Sequence, residues 1–391
     1  MADAPQLDHC GAVGMNGVVK GWCPGALRPM ASGDGLVVRV RPRLARLSRR
    51  QARWLAVAAR THGVGLIDLT SRANLQIRGV QPDRLAQLQE TLAELDLLDP
   101  DVETEMRRNI LTAPDWVPGD DSERISVELM ARLAELPRLP AKVGFAIDAG
   151  SAPILAQDSA DFRIERGETG DLILRAEGRA TGCTLTKGAE VDALIALARW
   201  FVDSGGEAAG RMARHRAALP VWADTGARPR PSRPVMVPGL TPAGLAIGAA
   251  FGQIEAELLN PMMSRSVCMG LRVTPWRIMV LESAVNAGPM PFGLFASPGA
   301  AALRVDACAG APFCPQASVE TRGMALALAP HIQGRLHVSG CAKGCARTRA
   351  ADVVLTGRDG AFDLAFNARP CDPPVETGLT PDQVLARFGD D

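Results

Sequence analysis

Four cysteines near the C-terminus of this 391-residue chain do most to limit what it can fold into: Cys308 and Cys314 in CAGAPFC, then Cys341 and Cys345 in SGCAKGC. The pairs keep five and three residues between their members and are separated by a helix-sized insert. A group that uses all four must draw two distant segments together. Four gathered thiolates suit an iron–sulfur cluster, because each iron of a cubane takes one soft anionic ligand. Zinc competes, although its paired ligands usually stand about two to four residues apart and five is loose. A disulfide framework is the third possibility. Nothing at the N-terminus reads as a secretory signal, which points to a reducing compartment where disulfides are rare.

Composition narrows the partners. Lys plus Arg and Asp plus Glu both number 43, so no bulk field draws the chain to nucleic acid or to a membrane. The longest apolar stretch, residues 245–251, is too short to span a bilayer and is interrupted by Gly248. The expectation is a cytoplasmic protein. Only Lys20, Lys142, Lys187 and Lys343 are lysines. Coding bias explains much of that, yet arginine is also the residue that grips carboxylates through two parallel hydrogen bonds.

The organisation reads as a duplication. GDGLVVRVRP (33–42) alternates like a strand, Ser48 can cap a helix running to His62, and GLIDLT and NLQIRG follow as strands. Pro82 opens a helix with Leu85, Leu88, Leu92 and Leu95 on one face. A lobe follows, with strands expected at 142–148 and 170–178 and a helix at 190–203. Six prolines between 220 and 242 mark a linker. The order then restarts: a strand in GLAIGAAF, a helix over 255–268, and strands in GLRVTP and WRIMVLE. TPWRIMV (274–280) takes the place that TSRANLQI (70–77) holds in the first half. The expected fold class is α+β, with two ferredoxin-like half-domains and two α/β lobes about a pseudo-twofold. The expected divisions are an N-terminal segment 1–30, a half-domain 31–99, a lobe 100–219, a linker 220–238, a half-domain 239–300 and a cysteine lobe 301–391.

Basic residues recur at strand ends: Arg39, Arg41, Arg72, Arg78, Arg107, Arg108 and Lys142. Each alone reads as a solvated surface charge. Several facing one cleft would repel one another unless an anion were bound, which suggests a polyanionic ligand. The segment 341–345 follows the alternating run RLHVSG and is expected at a strand-to-helix turn. No GxGxxG or P-loop is present, so electrons are expected from a separate reductase.

LTSRANLQIRG, RRNIL, the Cys-x5-Cys plus Cys-x3-Cys arrangement and the duplicated halves together resemble the sirohaem-dependent sulfite and nitrite reductases, from about residue 30 to 360. Within that superfamily, GWCPGALRPMASGDGLVVRV and the short length are most similar to the precorrin-3B synthases of aerobic cobalamin biosynthesis. The resemblance implies that Cys308, Cys314, Cys341 and Cys345 ligate a 4Fe–4S cluster. It implies that Arg41, Arg72 and Arg108 contact carboxylates of a tetrapyrrole or a bound anion. Lys142 matches the first of two distal lysines in the reductases, and the second would fall at Gly144. Its loss argues that inorganic-anion chemistry has been abandoned and that space is freed for a bulky ring substituent. Lys343 departs from the neutral residue often found between the last two cysteines.

The activity so implied is hydroxylation of precorrin-3A by O2 with closure of a γ-lactone, NADH supplying electrons through the partner reductase. A cluster passes single electrons and does not readily insert oxygen, so a non-haem iron is also implied. No two-histidine, one-carboxylate spacing stands out among His9, His62, His215, His331 and His337. His337 is the most suggestive, with in-strand packing the competing reading. Cys23 reads as a turn thiol, whereas Cys10, Cys183, Cys268 and Cys371 read as buried cysteines. The alternatives are a sirohaem-carrying sulfite or nitrite reductase and a non-enzymatic carrier of a tetrapyrrole or cluster.

Overall fold

The computed structural model describes residues 24–264, 268–286 and 288–389. Cys10, Cys23 and His9 lie outside them. The chain divides into a larger unit, Pro24–Leu303, and a smaller one beginning at Arg304.

The larger unit opens with β1 (Met30–Ser32) and β2 (Gly35–Val40), then β3 (Arg46–Ser48), α1 (Arg49–His62), β4 (Leu66–Leu69), β5 (Leu75–Val80) and α2 (Leu85–Glu94). Period-two alternation buries Val38, Val40, Ile67, Leu75 and Ile77, and Leu88 and Leu92 of α2 are fully buried. A capping box starts α1: Ser48 Oγ accepts the Gln51 N–H at 3.2 Å while Gln51 Oε1 accepts the Ser48 N–H at 2.9 Å.

A lobe follows, with α3 (Val102–Arg107), β6 (Ile110–Thr112), α4 (Asp121–Ala131), β7 (Phe145–Asp148), β8 (Phe162–Arg166), β9 (Leu172–Ala176), β10 (Cys183–Thr184), α5 (Glu190–Asp203) and α6 (Gly206–Ala209). Strands β6, β7 and β8 run parallel, and β9 and β10 continue the sheet antiparallel. Its core includes Phe145 stacked on Phe162, with Phe201 edge-on to Phe162. β7 is shorter than the sequence pattern suggested, because Lys142 sits in a turn and pairing begins at Phe145. The proline-rich stretch lies along this lobe, bridging Gly182 to Ala227 and Gly167 to Pro229.

The order then restarts with β11 (Gly239–Thr241), β12 (Gly244–Ala249), β13 (Gln253–Glu255), α7 (Ala256–Ser264), β14 (Gly270–Val273), β15 (Ile278–Glu282) and β16 (Leu294–Phe295). The halves exchange edge strands. β13 closes the first sheet by pairing with β4, Ile254 opposite Ile67, and β3 closes the second by pairing with β14, Leu47 opposite Leu271. α1 packs on α7. The repeat extends to backbone detail. Leu44 and Phe251 occupy the same left-handed position (φ 55° and 56°) before their exchanged strands, and Ala73 and Arg277 do so (φ 51° and 61°) in the turns that open at Thr70 and Thr274. Non-glycine residues rarely adopt that conformation, so its twofold recurrence is a strong mark of duplication.

The smaller unit carries β17 (Val305–Ala307), α8 (Arg322–Leu328), β18 (Leu336–Ser339), β19 (Ala351–Arg358), β20 (Ala361–Ala368), β21 (Glu376–Leu379) and α9 (Pro381–Gly389). β17, β18 and β19 run parallel, with β20 and β21 antiparallel beyond them. That is the connectivity of the first lobe. One expectation needs correction: the chain after Cys345 enters β19, not a helix. Val353, Val354 and Leu355 form an apolar run that finds a parallel partner in β18.

Candidate functional site

The smaller unit brings the four cysteines together by topology. β17 and β18 are hydrogen-bonded parallel neighbours, so the loops leaving their carboxyl ends emerge side by side. The first carries Cys308 and Cys314, and the second carries Cys341 and Cys345. The Gly340 N–H donates to Cys308 Sγ at 3.2 Å across the two loops. Thr321 Oγ1 donates to the Cys308 carbonyl at 2.8 Å, and Ser339 Oγ to the Cys341 carbonyl at 2.7 Å. Gly344 turns at φ 63° between the last two cysteines, a conformation that favours glycine.

Cys345 is exposed as a residue, yet its thiol is screened by surrounding atoms. Burial pushes that thiol up, Lys343 pulls against it, and Cys341, Cys308 and Cys314 each push it further up. The other three cysteines therefore lie within electrostatic reach of Cys345. Among the described residues, no three His, Cys, Asp or Glu side chains converge on a single ion. His337 is fully buried in β18, beside Asp306 of β17. Cys183 and Cys268 are buried, whereas Cys371 is only half-buried, unlike its sequence reading.

The larger unit gathers the basic residues into two neighbouring groups. Arg41 and Arg108 line a small cavity with Pro42, Asn74 and Thr112, whose free volume of about 10 Å³ has room for roughly one water. Arg108 forks onto Asp99, with both N–H···O distances 2.8 Å, and donates a third bond to the Arg41 carbonyl. Arg41 lies 3.2 Å from Glu105, but its Nε and Nη1 have no hydrogen-bond partner although both are buried. Burial lowers its pKa to about 10, an effect that Glu105 opposes and the nearby Arg39 and Arg108 charges reinforce. The second group is Arg72, whose Nη2 donates to the Lys142 carbonyl at 3.0 Å, while Lys142 is exposed. The turn 70–74 links the groups, because Arg72 is at its tip and Asn74 lines the cavity.

Other strand-end cations meet acids of their own. Arg78 pairs with Asp34 and Arg107 with Glu103. The positive field is weaker than a count of arginines suggests. Sequence reasoning missed Glu105, Asp99 and Asn74. The acids in DPDVETEMRRN were the available signal, as they sit beside the arginines they neutralise.

Gly144 does not open space. Its N–H donates to Asp161 at 3.0 Å, and a Cβ there would stand 2.7 Å from Asn109 Nδ2. The close approach of Asn109 requires glycine in this backbone, which corrects the expectation that the position frees space for a ring substituent.

Comparison with known proteins fits this architecture. Residues 28–95 match the nitrite/sulfite reductase ferredoxin-like half domain. A precorrin-3B synthase from Sinorhizobium sp. is 31% identical over 408 aligned positions, covering 95% of this chain and 88% of that protein. A sulfite reductase (ferredoxin) 2 from Mycolicibacterium paratuberculosis is 29% identical over 142 positions, covering 31% of this chain and 25% of that one. Among solved structures, the NirA protein of Mycobacterium tuberculosis superposes with a TM-score of 0.63 at 18% identity, covering 89% of this chain and 78% of that one.

Proposed function

The chain belongs to the precorrin-3B synthase family, within the nitrite/sulfite reductase-like proteins, and on that premise we propose that it is an oxidoreductase of cobalamin biosynthesis that hydroxylates precorrin-3A and closes a γ-lactone. One oxygen atom of O2 enters the ring carbon. The other leaves as water, with two electrons and two protons supplied from NADH through a separate reductase.

The observation that carries the redox reading is the meeting of Cys308, Cys314, Cys341 and Cys345 on the loops after two adjacent parallel strands. Four soft ligands on two adjacent loops suit a 4Fe–4S cluster, in which each thiolate serves a different iron. When bound, such a cluster supplies electrons singly.

The polypeptide's own work in this reading is to hold the substrate. Arg41, buried beside a cavity with room for about one water and paired with Glu105, adds positive charge behind the surface and does not itself grip the substrate. Arg108 braces it by occupying the Arg41 carbonyl while its own fork stays on Asp99. Arg72 and Lys142 offer further cationic contacts to an acid-rich tetrapyrrole. Burial strengthens the fields of Arg41 and Arg108 by thinning the surrounding water, whereas Lys142 is exposed.

Iron and sulfide analysis with an optical spectrum, taken on anaerobically purified protein, tests the reading. A broad brown shoulder with iron and sulfide near stoichiometry is expected. Intense sirohaem bands would favour the reductase alternative, and a colourless protein binding zinc would remove the redox reading.

A further inference from the structure

The two loops that carry the cysteines are unevenly charged. From Cys308 to Thr321 the only acid is Glu320, and from Gly340 to Ala350 there is none, while Lys343, Arg347 and Arg349 all fall in the second loop. Glu320 is engaged at the start of α8, where its carboxylate accepts the N–H groups of Arg322 and Gly323 at 2.7 and 2.9 Å. Arg347 faces Asp306, the buried acid of β17, at 3.5 Å and donates to the Ala350 carbonyl at 3.0 Å. Lys343 is exposed and, among the described residues, pairs with no carboxylate. Its backbone is held close to the thiols. It stands two residues from both Cys341 and Cys345, so its Cα lies within about 7 Å of each of theirs. Gly344 fixes the turn at φ 63°: a Cβ there would stand 3.2 Å from Pro370 Cγ, and its carbonyl accepts the Arg347 N–H at 3.2 Å. The lysine charge reaches the Cys345 sulfur, where it acts against the other three cysteines.

We propose that Lys343 tunes the cluster, its charge favouring the reduced state and so raising the reduction potential. This rests on the cluster reading above and adds to it the residue that sets how readily electrons enter. Reduction adds one electron, from the separate reductase, and no proton, to a core already negative with its four thiolates. A positive charge held nearby stabilises the more negative state more, and net charge is one of the levers that set such potentials. Arg347 contributes less, because Asp306 opposes its charge, and Arg349 stands four residues beyond the last thiol. Lys343 thus acts through the cluster without touching substrate. Its exposure puts the charge partly in water, so salt screens the effect.

A redox titration of the anaerobically purified full chain, followed by the electron paramagnetic resonance of the reduced cluster, tests it. Lys343→Gln should lower the midpoint potential, and Lys343→Glu should lower it roughly twice as far, because the interaction is linear in charge. Lys343→Arg keeps the charge and should stay at the parent value. Arg349→Gln removes a charge from the same loop outside the ligand pair and should shift the potential less. The Lys343→Gln shift should shrink as ionic strength rises. Iron and sulfide content, measured on each variant, separates tuning from assembly. A potential that stays put across the charge series, or that moves as far in Lys343→Arg as in Lys343→Gln, overturns the proposal and leaves the cluster standing. So does a shift in Arg349→Gln as large as that in Lys343→Gln. Should Lys343→Gln load no cluster, Lys343→Ala supplies the neutral comparison. Loading by the arginine variant alone would make Lys343 an assembly residue and overturn its tuning role. A parent chain without iron and sulfide overturns both this proposal and the reading it rests on.

Discussion

At the scale of single residues, the cysteines and the buried charges make separable predictions. Replacing Cys314 or Cys341 by serine should abolish iron and sulfide incorporation, because a hard hydroxyl is a poor ligand for this iron. Full iron and sulfide content in either variant would contradict the ligand assignment. Asp148 supports a prediction about pH. Burial holds its carboxyl up at about 6, and Oδ1 has no partner, while Oδ2 accepts the Ile154 and Leu155 N–H groups at 2.7 Å each. A folded-state pKa above the unfolded value means that the native state keeps the proton longer. The contribution of Asp148 is therefore present in acid and lost as pH rises through about 6. The melting-temperature difference between Asp148→Asn and the parent should move in the variant's favour between about pH 5 and pH 7.5, and a pH-independent difference would contradict this. The meeting of the four cysteines on two neighbouring loops was foreshadowed in the sequence, because residue type and spacing are local properties. The state of the arginines was not. Whether Arg41 is open or satisfied depends on Glu105, a partner far away in the chain.

At the scale of elements, the duplication was readable in part. TSRAN and TPWRI announce matching turns, and the structure gives both a left-handed residue at the same place. The exchange of edge strands was not readable, because β3 and β13 are three residues long and too short to carry a period. Packing makes the exchange consequential. Leu47 and Ile254 are essentially fully buried, each in a sheet formed mainly by the other half. Leu47→Ala should cost about 2–5 kcal/mol, the range for such truncations in a core. Since β3 belongs to one half and its sheet to the other, denaturant unfolding should remain a single transition for both halves, followed by fluorescence of Trp54 and Trp276 in single-tryptophan backgrounds. Two separated transitions would contradict the reciprocal closure. The helix expected after Cys345 failed for a related reason: a short run between glycines gives no periodicity, and the parallel slot beside β18 decided its conformation.

At the scale of the whole molecule, the family and the α+β fold followed from cysteine spacing, repeated order and motif context together. Among the described residues no helix is long and apolar enough to cross a membrane. The proposed electron donor would leave no trace in the residues, because a transient protein contact requires no motif of its own. The Gly144 argument against anion reduction is lost, since that glycine is required by the backbone crossing at Asn109. The case against sulfite and nitrite as substrates therefore rests on family membership and the acid-paired arginines. With a strong artificial donor, sulfite and nitrite turnover should be slow. The most direct measurement of the central claim is the mass of the product formed from precorrin-3A under isotopically heavy O2 with a reductase and NADH. The account predicts a hydroxylated lactone carrying one heavy oxygen atom. Brisk sulfite or nitrite reduction, with no heavy oxygen in any tetrapyrrole product, would contradict it.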